Sequence, residues 1–201
     1  MPENISTTLD EIELALAGHA PGLLEPVDAT LAAVALIVSD GPAGPRLLFI
    51  ERAANDNDPW SGHICFPGGK VENGDRHASV TAQRETLEEI GLDLANARLL
   101  GRLSDIAGTR IPVHVSCFVY RTEETGPFRL MSEEVKESFW VSLEDLRDPA
   151  RHGYKMVSFD GQDWIRPCIT LPHPGEPVLW GLTYQLVMDF LEVLHSTSHG
   201  N

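Results

Sequence analysis

The chain has 201 residues, 42% of them hydrophobic and 22% charged, which suits one soluble domain with a full-sized core. Its formal net charge of -15 disfavours nucleic acid as a partner, because an acidic surface repels phosphate backbones. No apolar run is long enough to span a bilayer, and the acidic, polar N-terminus is unlike a signal peptide. A cytoplasmic protein without a membrane partner is therefore expected. Three widely separated cysteines without a CxxC pair predict free thiols.

The N-terminal part is predicted to be a helix followed by a connector. Apolar residues recur near helical spacing over residues 7–18, and prolines and glycines punctuate the stretch that follows. Residues 1–6 look frayed. We therefore predict residues 1–26 as an N-terminal helix and connector, and residues 27–196 as the main domain.

The main domain is predicted to be α/β. Apolar runs bounded by turn residues indicate strands, and two long stretches with helical spacing indicate helices. The first two strands should form a buried hairpin, and the third should end in a tight turn at its glycines. Strands separated by long helices favour a mixed sheet between helices. The predicted strands are 31–38, 46–52, 63–69, 97–103, 111–120 and 138–143, with a late hairpin around 160–161, and the predicted helices are 76–90, 143–148 and 178–195.

The stretch RETLEEIGL places Glu85, Glu88 and Glu89 on one face of the predicted helix, since positions i, i+3 and i+4 are neighbours. Like charges so close destabilise a helix by a few tenths of a kcal/mol, so the cluster needs either a solvated face or a ligand. At about 100° per residue, an apolar set should face the sheet and a small set should leave open space beside the glutamates. The apolar set is Val80, Leu87 and Ile90, and the small set is Ala78, Thr81 and Ala82.

A glycine pair upstream favours the ligand over the solvated face. FPGGK, residues 66–70, lets backbone groups approach a ligand closely because its two glycines have no side chain. Hard carboxylate oxygens beside such a segment are what Mg²⁺ binds, usually together with substrate phosphates and waters. The pattern therefore indicates a divalent-cation site that meets a phosphate-bearing substrate.

The segment GGKVENGDRHASVTAQRETLEEIGL resembles the signature box of the Nudix hydrolases, which cleave nucleoside diphosphates linked to another moiety. The residues that match are Arg84, Glu85, Glu88, Glu89, Gly91 and Leu92. Two features depart from the family pattern. Thr86 replaces an aliphatic residue, and one residue is inserted between Gly69 and the helix, which leaves Asp75 or Glu72 as the acid that could pair with Arg84.

The resemblance implies an α/β/α sandwich and a site for Mg²⁺ or Mn²⁺. Glu85 and Glu89 would be the principal metal ligands, Glu88 a third ligand or the base, and a carbonyl near Gly69 would complete the set. Glu88, Glu89 and Arg84 would form the catalytic set, in which Arg84 would be structural and would pair with a loop carboxylate to fix the turn. The metal would neutralise the diphosphate and help to ionise an attacking water.

The preceding segment resembles the coenzyme A diphosphatase branch of that family. The matching residues there are Leu47, Leu48, Arg52, Gly62 and 66–69, and residues 179–191 resemble the closing helix of that branch. A second arginine expected before Gly62 is absent, and residues 55–58 are Asn and Asp instead. Since coenzyme A carries an additional 3′-phosphate, which usually requires a basic fork, this absence weakens the substrate assignment but not the hydrolase assignment.

Five further residues are candidate substrate contacts. Arg52 could hold a phosphate or pair with a surface acid, Trp60 could stack on a base or fill the core, and Lys70 could reach a phosphate or stay solvated. Arg110 and His114 follow the GTR turn and could lie beside the site, although strand histidines are often structural.

The segment 132–143 resembles the region where many Nudix enzymes place an additional carboxylate, so Glu133 or Glu134 is a candidate base or ligand. Three hypotheses remain: a diphosphatase acting on coenzyme A or its thioesters, the same chemistry on another nucleotide, and a module that binds a nucleotide without cleaving it. The intact acidic turn disfavours the third. Either terminal helix could bury a partner surface, and dimers are common in this family, so a homodimer is one expectation.

Overall fold

The computed structural model describes residues 7–25, 28–55, 60–159 and 161–198, and the frayed segment predicted at 1–6 lies outside them. The helices are α1 Leu9–Gly18, α2 Ala78–Ile90, α3 Leu143–Arg147 and α4 Gly181–Ser198, with 3₁₀ turns at Leu94–Asn96 and Pro149–Arg151. The strands are β1 Thr30–Ser39, β2 Arg46–Arg52, β3 Ile64–Cys65, β4 Gly68–Lys70, β5 Arg98–Arg102, β6 Ile106–Ala107, β7 Val113–Arg121, β8 Val135–Ser142, β9 His152–Phe159, β10 Gln162–Thr170 and β11 Val178–Trp180.

The main sheet is mixed, as predicted. Its central order is β3-β2-β1-β7-β5, with β4 paired to β1, β6 to β7 and β8 to β2. β1 and β7 run parallel from Thr30 opposite Val113 to Val38 opposite Arg121, while the other pairs are antiparallel. The predicted hairpin of β1 and β2 is confirmed only near its turn, where two residue pairs face each other.

Helices cover both faces of this sheet, which confirms the predicted α/β architecture. α2 packs on one face, against alternate residues of β1 such as Ala35 and Ile37. α1 and α4 pack on the other face, where Ile12 and Phe190 join Leu36 in the larger core. α1 shares that core and contacts α4, so both terminal helices pack against the rest of the fold. The predicted division after residue 26 stays a prediction.

A second sheet of three strands, β9, β10 and β11, was only partly predicted as the late hairpin. The two faces of the β9–β10 hairpin differ. Val157 and Trp164 are paired on the inner face, and Val157 is buried. Met156 and Ile165 are paired on the outer face and are strongly exposed. In the described parts of the chain, no helix combines the length and the hydropathy needed to cross a bilayer.

Candidate active site

The two glycines of FPGGK lie in β4, a short strand, and not in the tight turn that the sequence predicted. β4 pairs antiparallel with the beginning of β1, so that Gly69 faces Ala33. A Cβ at Gly68 would lie 2.3 Å from the carbonyl oxygen of Ala33, and a Cβ at Gly69 would lie 2.4 Å from Cδ of Glu85. Glycine is therefore required at position 68, where a Cβ would meet the backbone of β1, whereas a Cβ at position 69 would displace the Glu85 carboxylate.

The predicted orientation of α2 is wrong. Val80 and Leu87, expected against the sheet, are 37% and 46% exposed. Thr81 and Ala82, expected to border open space, are buried, and Ile90 is buried as predicted. The helix is thus rotated so that its acidic face turns toward the sheet.

Burial of the Thr86 side chain follows from the same rotation. Its hydroxyl donates to the carbonyl of Ala82 at 2.6 Å, which satisfies the polar group inside the core. Gly91 ends α2 in the left-handed conformation, with φ of 71°, as predicted from the sequence. The unusual threonine in the acidic turn is therefore a core residue whose hydroxyl has a partner on its own helix.

Glu89 is the most deeply placed acid of the turn, with a residue exposure of 1%. Its carboxylate accepts a hydrogen bond of 2.9 Å from the Gly68 N–H and lies 3.8 Å from the Arg52 guanidinium. Burial raises the pKa of Glu89 to about 8, although the Gly68 N–H and Arg52 act in the opposite direction. Nearby negative charges on Glu85 and Glu134 raise this pKa further.

Arg84 connects the acids of the turn to the loop before the helix. Its guanidinium donates to Asp75 at 3.1 Å, to Glu85 at 2.9 Å and to Glu88 at 3.2 Å, and also to the Lys70 carbonyl at 3.2 Å. Of the two acids left open by the sequence, the partner is Asp75.

Asp75 is held by more than the arginine. It also accepts hydrogen bonds from the Glu72 N–H at 3.0 Å and the Thr81 hydroxyl at 2.8 Å. The Arg84 hydrogen bond, followed by those from Glu72 and Thr81, holds the pKa of Asp75 well below its usual range. The same ion pair raises the pKa of Arg84. This loop carboxylate is therefore ionised at every pH at which the protein is expected to work.

The donor set suits a divalent cation. Glu85 and Glu89 bring hard oxygens to β4 from a mostly buried position, and burial raises the pKa of Glu85 as well, against the effect of Arg84. Within the described ranges, no group of three or more acidic, histidine or cysteine side chains is already gathered as a metal cage, and Arg84 instead engages Glu85 and Glu88. A small hard cation would supply the positive charge that these partly compensated carboxylates require.

The comparisons with known proteins agree with this geometry. A profile of the NUDIX domain matches residues 29–159, which contain α2 and all eight strands of the main sheet. The chain belongs to the Nudix family. A MutT/nudix family protein from Enterococcus faecalis superimposes on it with a TM-score of 0.56 and 17% sequence identity, over 96% of this chain and 72% of that one, which supports the fold.

Two curated relatives extend the comparison. The mitochondrial coenzyme A diphosphatase NUDT8 of Mus musculus is 31% identical over 148 residues, which cover 69% of this chain and 66% of that protein. The uncharacterized protein C14C4.10c of Schizosaccharomyces pombe is 38% identical over 112 residues, which cover 52% of this chain and 34% of that protein. The Nudix chain described here thus spans less than two thirds of the length of either relative.

An additional acid lies beside the Nudix turn, at the segment predicted for it. The Met131 N–H donates to the Glu89 carbonyl at 2.8 Å, and the Glu134 N–H donates to the Met131 carbonyl at 2.9 Å. The charge of Glu134 raises the pKa of both Glu85 and Glu89. Of the two candidates at 133 and 134, the one whose charge acts on the Nudix carboxylates is therefore Glu134.

The predicted substrate contacts form two groups, one beside the Nudix glutamates and one beside the β9–β10 hairpin. Arg52 and Lys70 border the Nudix glutamates: Arg52 faces Glu89, and Lys70 is exposed at the end of β4. Trp60 is half-buried, with its ring 6.2 Å from that of Phe159 on the hairpin. Asp56, Asn57 and Asp58, which stand where the second arginine was expected, lie outside the described residues.

Arg110 lies in the loop before β7, and His114 lies near the start of that strand. His114 faces Leu31 across β7 and β1 and is half-buried. Arg110 stacks on Trp164, with its guanidinium carbon 3.8 Å from the ring centroid, and donates to Gln162 at 3.4 Å. The Nudix glutamates and Arg110 are therefore separate groups, and the hairpin provides the contacts of the second one.

Sequence reasoning missed the hairpin side of this region. His63 packs between Phe159 and Trp180, with ring centroids 5.9 Å and 4.7 Å away, and Trp164 holds Arg110. The only sequence signal was the alternation of aromatic and polar residues in two predicted strands. That signal indicates a sheet face, but it does not tell which distant loops the face contacts.

Proposed function

We propose that this Nudix protein is a divalent-metal-dependent hydrolase of a nucleoside diphosphate linked to another moiety, with coenzyme A or its thioesters as substrate and 3′,5′-ADP and a 4′-phosphopantetheine compound as products. The observation that carries the proposal is the approach of Glu85 and Glu89 to the two glycines of β4, with Glu89 buried at the strand. Similarity to coenzyme A diphosphatases, at 31% identity to NUDT8, supports the choice of substrate.

Glu85, Glu88 and Glu89, with the Gly69 carbonyl, would hold Mg²⁺ or Mn²⁺. When bound, the metal would neutralise the diphosphate and lower the pKa of an attacking water. Glu88 is exposed, so it can turn from Arg84 toward a ligand at small cost. Glu89 cannot move without breaking its bond to Gly68, so it would act as the fixed member of the set.

The remaining groups would position the substrate and move the proton. Arg84, fixed by Asp75, would keep Glu85 in place rather than touch the reacting bond. Arg52 and Lys70 lie where they could bind the oxygens of the diphosphate. Glu88 and Glu134 are the candidates to take the proton from the attacking water, since both are exposed beside the turn.

The test is a substrate panel of coenzyme A, acetyl-coenzyme A, ADP-ribose, NADH and nucleoside triphosphates, with Mg²⁺ or Mn²⁺ and mass analysis of the products. Highest kcat/KM on the coenzyme A compounds, with release of 3′,5′-ADP, is the expected result. Preference for a substrate without the pantetheine arm would reject coenzyme A while keeping the hydrolase. Nucleotide binding without turnover of any compound would reject hydrolysis.

The cellular location and assembly stay predictions. The relative NUDT8 is named as a mitochondrial enzyme, whereas the sequence favours the cytoplasm for this chain. Fractionation of cells that express a tagged full-length protein would test the first, and light scattering would test the expected homodimer.

A further inference from the structure

At the inner face of the β9–β10 hairpin, two guanidinium groups lie near one indole ring and a lysine stands beside them. We call this group the hairpin cluster, and its members are Arg110, Lys155, Trp164 and Arg166. The guanidinium carbons of Arg110 and Arg166 lie 3.8 Å and 5.3 Å from the centroid of the Trp164 ring. Lys155 stands directly opposite Arg166 in the strand register, so both side chains project from the same face. Arg110 comes from the loop before β7 and joins this face from the main sheet.

These cations lack acidic partners in the described part of the chain. Within it, ion pairs neutralise Arg84, Arg98 and Arg102, among others, but Arg110, Lys155 and Arg166 form none. Other basic side chains of the described residues, such as Arg46 and Arg129, also form no ion pair, but the three cations of the hairpin cluster stand together in a chain with 30 acidic and 15 basic residues. Like charges directly opposite each other on neighbouring strands are destabilising. A bound anion would remove that cost.

The hairpin cluster lies at the same edge of the sheet as the Nudix glycines. The Thr30 N–H donates to the Pro112 carbonyl at 2.8 Å, which ties the Arg110 loop to the start of β1. On the other side of β1, the Val71 N–H donates to the Leu31 carbonyl at 2.9 Å, directly after Lys70. Only β1 therefore separates the Arg110 loop from β4, a distance of two strand spacings or roughly 10 Å.

The tip of the hairpin reaches the other border of the site. Phe159, the last residue of β9, lies 6.2 Å from the Trp60 ring and 5.9 Å from the His63 ring. The His63 carbonyl accepts a hydrogen bond of 3.0 Å from the N–H of Arg52, which faces Glu89. The hairpin thus runs from the loop beside Arg52 to the loop of Arg110, along the strand ends that carry the candidate active site.

We propose that Arg110 and Arg166, with Lys155 beside them, bind a phosphate monoester of the substrate nucleotide, the 3′-phosphate in an adenosine 3′-phosphate 5′-diphosphate ester. This inference rests on the proposed function and deepens it. Guanidinium groups bind phosphate oxygens bidentately, and both guanidinium groups lie near the Trp164 ring. The hairpin cluster supplies the basic fork that the sequence lacks at residues 55–58.

Binding of two hydrolysis-resistant ligands tests the subsite without any turnover. Adenosine 3′,5′-bisphosphate and AMP differ only in the 3′-phosphate, and neither contains an anhydride. By titration calorimetry, the wild-type protein should bind the bisphosphate at least about tenfold more tightly, the value of one charge-assisted contact. Arg110→Gln and Arg166→Gln should each remove about tenfold of that affinity and leave AMP unchanged.

The matched control is Arg98→Gln, which removes the same charge from β5, where Arg98 pairs with Glu13. It should change neither affinity. Equal wild-type affinities for the two ligands, or equal losses on both in the hairpin variants, would overturn the subsite. If circular dichroism shows that Arg110→Gln does not fold, Arg166→Gln on the half-buried hairpin face decides alone.

Turnover separates this inference from the proposed function. The kcat/KM for coenzyme A is compared with that for 3′-dephospho-coenzyme A in the wild type and in Arg110→Gln and Arg166→Gln. If both compounds are hydrolysed and the variants leave this ratio unchanged, the subsite is refuted and the proposed function stands. The subsite is supported if the variants bring the ratio of the two kcat/KM values close to one because KM for coenzyme A rises while kcat is unchanged. Selective bisphosphate binding without hydrolysis of either ester would keep the subsite and remove the proposed reaction.

Discussion

Asp75 and Glu89 are two buried carboxylates of the candidate site, and they differ in how well their negative charge is compensated. The side chains of Asp75 and Glu89 are 5% and 2% exposed. Asp75 receives hydrogen bonds from Arg84, the Glu72 N–H and the Thr81 hydroxyl, and its pKa is lowered. Glu89 receives one from the Gly68 N–H and an arginine 3.8 Å away, and its pKa is raised to about 8.

The difference fits a structural role for Asp75 and the proposed metal-binding role for Glu89. A carboxylate with enough donors is stable as an anion and holds its neighbours in place. A buried carboxylate with too few donors is unstable as an anion until a further cation arrives. In this protein, Asp75 therefore fixes Arg84, whereas Glu89 is left with an electrostatic demand that a divalent metal would meet.

The largest expected effect comes from Glu89→Gln, which removes the charge but keeps the hydrogen bond acceptor for Gly68. Turnover should fall by more than roughly 10²-fold, because the proposed fixed metal ligand is lost. The measurement is kcat on the best substrate of the panel, with circular dichroism to show that the protein is folded. Glu144→Gln, an exposed acid on α3, is the matched control and should keep the wild-type rate. An unchanged rate in Glu89→Gln would refute the metal assignment.

The second prediction concerns stability and pH in metal-free protein. Because the folded-state pKa of Glu89 is raised from 4.5 to about 8, the folded protein holds a proton that the unfolded chain releases. Wild-type stability should therefore fall relative to Glu89→Gln as the pH rises from 4.5 to about 8, by roughly 3–5 kcal/mol. Urea unfolding in EDTA at a series of pH values measures this difference.

Adding Mg²⁺ or Mn²⁺ provides the control for that titration. A cation that binds only the folded state should restore wild-type stability at high pH and leave Glu89→Gln little changed. A difference between the two proteins that is constant across this pH range would show that Glu89 is already fully compensated without metal.

The sequence alone located the acidic turn correctly but not its orientation. The spacing of Arg84, Glu85 and Glu89 predicted a helix, and α2 begins within two residues of the predicted start, while the metal site stays a prediction. The rotation was wrong because a helical projection assigns acids to solvent and apolar residues to the core. The glycines of β4 reverse that rule here, since they make room for carboxylates at the sheet.

The partners of each loop were less predictable than the elements themselves. Strand bounds follow from local apolar runs, and β2 matches its prediction of 46–52. The contact of Arg110 with Trp164 joins residues that are 54 positions apart, and no local pattern encodes that pairing. The choice of Asp75 over Glu72 likewise depends on the path of the loop, which places Asp75 against Thr81.

A smaller effect is expected from Asp75→Asn, which tests the other side of the comparison. The variant should lower Tm at neutral pH and reduce kcat less than Glu89→Gln does, because Arg84 loses its anchor but the metal ligands stay. The stabilisation from Asp75 is present above its unfolded pKa of 3.8 and is lost as the pH falls through the lower folded value. The Tm difference should therefore shrink in acid.

Glu72→Gln is the matched control for that variant, since Glu72 is exposed and contributes its backbone N–H rather than its side chain. It should keep the wild-type Tm. Should Asp75→Asn instead lose as much turnover as Glu89→Gln with an unaltered Tm, Asp75 would belong to the reacting centre and the proposed separation of roles would be wrong.

The smallest effect is expected from Glu134→Gln, compared with its exposed neighbour Glu133→Gln. The charge of Glu134 reaches Glu85 and Glu89, so its removal should lower the pKa of both carboxyls and shift the acid limb of the pH–rate profile to lower pH. If Glu134 acts only through this field, kcat at its optimum should change by less than about tenfold. If it takes the proton from water, the loss should be larger, on the order of 10² or more, and the acid limb should disappear. If the pH–rate profiles of Glu134→Gln and Glu133→Gln coincide, Glu134 lies outside the site. An exposed acid that does not act electrostatically on the turn cannot shift the pKa values of the carboxyls in that turn.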